Sequence, residues 1–390
     1  MSESKRIDVA DVLRGFAIMG IFLIHTIEHF NFYSFPEVEN EWLKFTDKAI
    51  WDSVFFVFSG KAYGIFALLF GFSFFIQDNN RMEKGADFRP RFAWRLVLLF
   101  LWGTINAMFF TGEILVFFSI MGFVLLFVCR LSSKVVFIIA TILMLQPFEW
   151  YKLISALMNP DYVAGESMVG YYFGEAYKVQ MNGTFLETVK MNLGAGQMAN
   201  FSYAWEYGRV FQTASLFMFG MLVGRAGLFL NTEDNLRFWK KALIISILCF
   251  FPLSGLVNLI PQFIDKGPVL SSLKIILNPL ANLMFMVFIV SLIINLYYTT
   301  KFHKILGKLA PYGMMSLTAY ITQSIVGSFL FYNWGLGLHD KLSITFSFLL
   351  GIVLFLLQYS FACWWMKRHK HGPLEYIWRK ATWIGAKNDK

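Results

Sequence analysis

Apolar residues run along this chain in blocks of about 20, the length of helix needed to cross bilayer hydrocarbon, with polar connections between them. Ten blocks stand out: Val9–Phe30, Ile50–Ile76, Phe92–Phe110, Ile114–Cys129, Val135–Trp150, Val210–Leu230, Trp239–Ile260, Leu270–Tyr298, Pro311–Phe331 and Leu342–Trp365. The pattern predicts an all-α, polytopic integral membrane helix bundle of about ten transmembrane helices, forming a single domain over 1–390. Residues 151–209 make the one long connection and are read as an outer loop with a short amphipathic helix. Thr184 and Glu187 have capping-box spacing there, and Phe185, Leu186, Val189 and Leu193 share one helical face. Gly64, Gly71, Gly220 and Gly224 predict places where helices approach closely.

Composition agrees. The chain is 57% hydrophobic and 15% charged, whereas soluble domains carry about a quarter charged residues. The formal net charge of +9 is not a nucleic-acid footprint, because the basic residues lie in connections between apolar blocks rather than in one patch. Of the 34 basic residues, 24 fall in the terminal segments and alternate connections, among them Arg81, Arg89, Arg130, Arg225, Lys304, Lys367 and the tail. An excess of Lys and Arg marks the cytoplasmic side, so both termini are expected there. The opposite side begins with an acidic loop containing Glu37, Glu39, Glu41 and Asp47. The first block reads as a retained helix rather than a signal peptide, because Asp8 and Asp11 precede it and Arg14 interrupts it. Cys129, Cys249 and Cys363 are too scattered for a disulfide or metal framework.

Ionisable groups inside a membrane helix are costly and point at a cavity or a partner. The first block carries Arg14 near one end and His25, Glu28 and His29 near the other. Arg14 and His25 are eleven residues apart, about three helical turns, so they share a face roughly 16 Å apart. Lys61 falls near the middle of the second block. In the ninth, Ser316, Tyr320, Gln323 and Gly327 recur on one face, while Asn278 and Asn282 form a similar pair in the eighth. Asn106, Glu113 and Arg209 lie near block ends on the outer side. Two chemistries suit the histidines. His25-Thr26-Ile27-Glu28-His29 matches H-x-x-E-H, in which paired histidines hold zinc beside a general base. Alternatively, a neutral imidazole serves as general base toward an attacking hydroxyl or amine.

The stretches ADVLRGFAIMGIFLIH, FSGKAYGIFALLFGFSFF, FMFGMLVGRAGL, YGMMSLTAYITQSIVGSFLFYNWGLGL and GPLEYIWR resemble, in this order, the YeiB-like membrane family, whose domain is of unknown function. That family is similar at a distance to the transmembrane acyltransferase superfamily, which includes enzymes that modify polysaccharides. Bacterial O-acyltransferases of that superfamily need an Arg followed by ten residues and a His, and Arg14 and His25 match this spacing. YeiB-like proteins often carry Asn at the position of His25, and a His and an Asp where this chain has Asn106 and Glu113. The resemblance implies a protein of the bacterial inner membrane. It further implies transfer of an acyl group from cytoplasmic acyl-CoA to an acceptor at the outer side. Arg14 would then contact the donor and His25 would act as base, with Glu28 or His29 orienting it. Lys61, Tyr320, Gln323, Arg209, Glu113 and Asn106 would hold donor or acceptor, and no metal is expected. A transporter or export factor using the same polar path, and a zinc-dependent membrane hydrolase, are the alternatives. The expected partners are the bilayer, the acyl donor and an acceptor of unassigned class.

Overall fold

The computed structural model describes residues 7–385 except 160, 164 and 266, and every regular element among them is helical. Lys5, Arg6, Lys387 and Lys390, which contribute to the basic asymmetry, lie outside the described residues. Helix α1 (Asp8–Ile27) is followed by α2 (Glu41–Phe58) and α3 (Lys61–Met82), then by α4 (Arg89–Ala107) and the short α5 (Leu115–Met121) and α6 (Phe123–Val128). Helix α7 (Ser133–Met144) bends by 42° into α8 (Pro147–Met158). Next come α9 (Val169–Asn182), α10 (Phe185–Met191), a π-helical turn at Asn192–Gly196 and α11 (Gln197–Glu206). Helices α12 (Arg209–Arg225), α13 (Glu233–Phe263) and α14 (Pro268–Thr299) then cross the molecule. Helices α15 (His303–Leu306) and α16 (Ala310–Met314) bend by 73° into α17 (Ser316–Phe331), and α18 (Ile344–Met366) and α19 (Pro373–Thr382) complete the chain.

Five of these stretches are long and apolar enough to span a membrane, and seven are if each bent pair is one span. This is a membrane protein. Its burial runs from the centre outward. The apolar window of α1 is 78% buried, whereas those of α18 and α13 are 17% and 11% buried and expose Leu248, Phe251, Leu356 and Leu357. A helix that is hydrophobic all round and also buried belongs at a bundle centre. Missing side chains let α1 sit there. A Cβ on Gly15 would come within 2.4 Å of the Leu309 carbonyl oxygen, and one on Gly313 within 1.9 Å of that of Asp11. At such crossings backbones touch, as small residues permit in membrane bundles.

Two connections differ from the sequence reading. The acidic segment is not a loop throughout: Glu41 opens α2, capped by the Asn40 side chain, and buried Asp47 accepts from the backbone N–H and hydroxyl of Thr345 at 2.7 and 2.6 Å. A buried carboxylate must find donors, and these tie α2 to the start of α18. Residues 151–209 hold most of α8 and all of α9, α10 and α11, not one helix. Thr184 and Glu187 do form a capping box on α10. The group is pinned to the connection after α4 by a buried amide cluster. There Gln180 donates to Asn192 Oδ1 at 2.6 Å and to Thr111, and Asn200 donates to the Thr111 carbonyl.

Candidate functional site

Helix α1 ends at Ile27, two residues after His25, and the chain then turns back on itself. Phe32 and Tyr33 both take left-handed backbone conformations, φ 54° and 56°. Two such residues in succession without glycine are uncommon, and backbone strain of this kind clusters at functional sites. The turn is held by Tyr33 N–H donating to the Glu28 carbonyl at 3.2 Å, and by buried Asn31 donating to the Thr26 carbonyl and to Ser347. It turns Glu28 and Tyr33 toward the same space as His25 and His29.

That space is a cavity of about 540 Å³. One wall is His25, Glu28 and His29. The second comes from the α2–α3 break, where Gly60 takes φ 73° and Tyr63 follows one turn later. Gly112 to Ile114 and Phe117 close a third side, and α9, α11 and the residue that ends α11 roof it with Phe173, Tyr177, Tyr203 and Tyr207. The segment read as an outer loop is therefore a cover over the histidines. Arg209, at the first turn of α12, reaches in from the rim. It donates to Gln212 Oε1 at 2.9 Å, and its guanidinium lies 5.0 Å from the centre of the Tyr63 ring. Tyr63 in turn shares a hydrogen bond with Thr213.

Within the cluster, His29 Nε2 lies 2.8 Å from Glu28 Oε1, and its Nδ1 lies 3.3 Å from the Tyr177 hydroxyl. The His25 and His29 rings meet edge to face with centroids 5.2 Å apart. Nδ1 of His25 is buried and makes no hydrogen bond. Glu113 also borders the cavity, but its carboxylate is engaged. It accepts from the backbone N–H groups of Leu115 and Val116 and so caps α5.

Five of the residues picked from the sequence lie outside this cavity. Lys61 lies at the α2–α3 break. It opens α3, and its ammonium faces the rings of Phe56 and Phe285 at 5.8 and 5.6 Å. The Tyr320 hydroxyl accepts from Ile114 N–H at 3.3 Å behind the cavity wall. Asn106 and Gln323 are fully buried; the Gln323 amide makes no hydrogen bond, and Asn106 lies beside the Glu113 carboxylate. Each lies one turn before a residue packed on the Phe30 ring: Phe110, with centroids 5.1 Å apart, and Gly327.

Arg14 belongs to a second, smaller cavity of about 250 Å³ at the other end of α1. It donates to Asp11 at 2.6 Å and to Ser73 at 2.9 Å. Arg95, Gln77 and Ser316 share this cavity, and Trp378 of α19 lies under the Arg95 guanidinium at 4.1 Å. Glu375 also borders it, but its two oxygens accept from Leu317 N–H, Thr318 N–H and the Thr318 hydroxyl at the start of α17. Among the described residues the two cavities share no lining side chain. Leu115 and Phe118 of α5 face one, and Phe117 faces the other.

The family described as "Protein of unknown function (DUF418)" matches residues 223–385. Uncharacterized protein YxaH of Bacillus subtilis (strain 168) is 28% identical, over 98% of this chain and 95% of its own. An uncharacterized 39.9 kDa protein of Bacillus acidopullulyticus is 26% identical, over 97% and 94%. Uncharacterized protein YeiB of Escherichia coli (strain K12) is 32% identical over 80 residues, 20% of each chain. Residues 223–385 are thus similar to a YeiB-like domain of unknown function. No solved structure matches it. The DUF418 match covers α13 to α19, including Gln323 and Glu375, whereas the histidine cluster and Arg14 lie before it. The two Bacillus proteins align along nearly the whole chain, both cavities included.

Proposed function

We propose that this protein is a membrane acyltransferase that moves an acyl group from cytoplasmic acyl-CoA to a hydroxyl or amine at the outer face of a bacterial inner membrane. In this reading the chain crosses ten times with both termini cytoplasmic. Each of the ten apolar blocks falls on one helix or on two consecutive helices, which supports that count. Arg81 and Arg91 lie against Trp383 beyond α19, and Arg225 donates to the Cys129 and Leu131 carbonyls. The basic residues thus gather at the Arg14 end, which supports a cytoplasmic assignment for that end.

The observation that carries the reading is the pair of cavities set along one buried helix, a guanidinium in one and an unpartnered imidazole in the other. Guanidinium pairs well with phosphate, so Arg14, with Arg95 beside it, would hold the coenzyme end of the donor. The acceptor would lie under the tyrosine roof. Its O–H or N–H attacks the thioester carbonyl carbon while neutral His25 takes the proton. The C–S bond then breaks, and the leaving thiolate takes that proton back from His25. Phe117 and Phe118 of α5 stand between the cavities, so α5 must move aside for the acyl chain to reach His25.

Release of free thiol from acyl-CoA by the purified protein tests this, with mass spectrometry of extracted lipids and glycans to find the acceptor. A positioned general base contributes about 10²–10⁴-fold. His25→Asn should lower the rate by that factor and leave the protein folded. An assay in which His25→Asn matches the parent ends the claim.

A further inference from the structure

We infer that His25, Glu28 and His29 form a binding site for a divalent transition-metal ion, and that an ion bound there takes His25 away as a proton acceptor. Sequence alone gave a weak case for metal. The structure changes the balance, because one ligand atom from each of the three side chains lies within 4.8 Å of the others. Ligands bound at about 2.0–2.2 Å in a tetrahedral shell sit somewhat closer together than this limit, within reach of small side-chain rotations.

Three further features point to a cation. First, Nδ1 of His25 is buried without a hydrogen bond, a lone pair or an N–H left without its partner. Second, His29 is already oriented as metal-bound histidines are. Its Nδ1 meets the Tyr177 hydroxyl at 3.3 Å, and its Nε2 points at Glu28. Such a second partner fixes the ring and its tautomer. Third, the three ligands sit on a wall of a 540 Å³ cavity, which leaves room for water in the remaining positions. Two imidazoles and one carboxylate are a donor set suited to zinc, cobalt or iron(II) rather than to magnesium or calcium. Arg209 lines the same cavity and opposes any cation. Its charge limits affinity, and removing it should tighten binding.

The inference goes beyond the acyl-transfer reading and does not rest on it. The lone pair that accepts a proton from an attacking group is the lone pair that binds metal, so the two uses of His25 exclude each other. Added zinc should therefore inhibit acyl transfer, while binding itself is read without any activity assay.

The test is titration of chelator-treated full-length protein in detergent with Co²⁺, followed by visible absorption and by counting bound metal after desalting. One equivalent with ligand-field bands is expected. Loss of a supporting second partner costs about 10–100-fold in affinity, so Tyr177→Phe should weaken binding by that factor. His29→Asn and Glu28→Gln should weaken it further, and Arg209→Gln should strengthen it several-fold. A His25→Asn/His29→Asn double variant that binds Co²⁺ as the parent does overturns the proposal, as does a parent that binds none. If the double variant does not fold, Glu28→Gln decides, since it keeps the shape of the side chain and removes only its charge. Unchanged affinity in Glu28→Gln then overturns the site. Cobalt binding without acyl transfer would leave this site standing and sink the enzymatic reading alone.

Discussion

Gly71→Ala should be among the most damaging small substitutions in the chain, and its cost follows from the α3–α12 crossing. A Cβ on Gly71 would stand 1.8 Å from the Phe217 carbonyl oxygen and 2.9 Å from Phe217 Cα. The contact is mutual: a Cβ on Gly220 would stand 1.8 Å from the Leu68 carbonyl oxygen. Ordinary contact begins near 3.4 Å, so the two backbones must part locally by roughly 1.5 Å, and no side chain can yield instead. Overpacking costs about 1–3 kcal/mol and occasionally more; a backbone clash belongs at the upper end. Alanine recovers up to about 1 kcal/mol over glycine in a helix, leaving a net loss of about 2 kcal/mol. Gly64→Ala, on the same helix, is the control. Its Cβ would meet the Met286 sulfur at 2.8 Å, the movable end of a flexible side chain, so its net effect should be neutral to stabilising. Thermal unfolding in detergent, read on both variants, tests the difference. The damage should also reach the histidine cavity, because α3 carries Tyr63 and α12 carries Arg209 and Thr213, which hold one another across this crossing. A Gly71→Ala protein as stable as Gly64→Ala would refute the reasoning.

Gln180→Ala should take one donor from each of Thr111 and Asn192, which keep the hydrogen bond between them. A lost buried hydrogen bond costs about 0.5–1.5 kcal/mol, so hydrogen exchange should quicken in α9 to α11 first; uniform protection there would count against a pinned cover. Glu113→Ala removes the cap of α5, with an expected loss of about 0.5–2 kcal/mol, read as a lower thermal midpoint. Burial lifts Glu375 above its usual 4.5, against the hydrogen bonds it accepts from Thr318 and Leu317. The folded protein then holds a proton that the unfolded chain has released, so this contribution is full below about 4.5 and is lost as pH rises through the raised value. Glu375→Gln does not titrate there. The parent should therefore lose thermal midpoint relative to Glu375→Gln across that window, and a constant difference would remove the claim.

Much of the bundle was legible because membrane helices must be both long and apolar. All ten blocks coincide with helical elements, and Gly71 and Gly220, picked as sites of close approach, are where α3 and α12 touch. Breaks were harder to see. The second block divides at Ser59–Gly60, and Met315 marks the 73° bend before α17. Nothing in hydrophobicity alone separates such interruptions from a straight helix. The Thr184–Glu187 capping box was readable as a local pattern, but the assembly of α9 to α11 into a cover was not. Its stabilising amides, Gln180 and Asn192, are twelve residues apart and meet Thr111 from another part of the chain.

The site divides along the same line. His25, Glu28 and His29 are close enough in sequence to be picked as a cluster, but it is the reversal after Ile27, not a continuing helix, that brings them together. Arg209 and Glu113 reach the same cavity through the fold, and the tyrosines around it were missed. Tyr33, Tyr63, Tyr177 and Tyr203 come from four separate segments, and in a chain with 19% aromatic residues a tyrosine near a membrane interface first suggests an anchoring belt. The usable signal was elsewhere. A run that contains Arg14, His25, Glu28 and His29 and is still mostly apolar cannot face lipid all round, since each charge needs a partner or water. That requirement places polar space beside α1 at both ends, before any neighbouring helix is known. The two cavities are the answer the fold gives to it, and α5 decides whether they act as one site or as two.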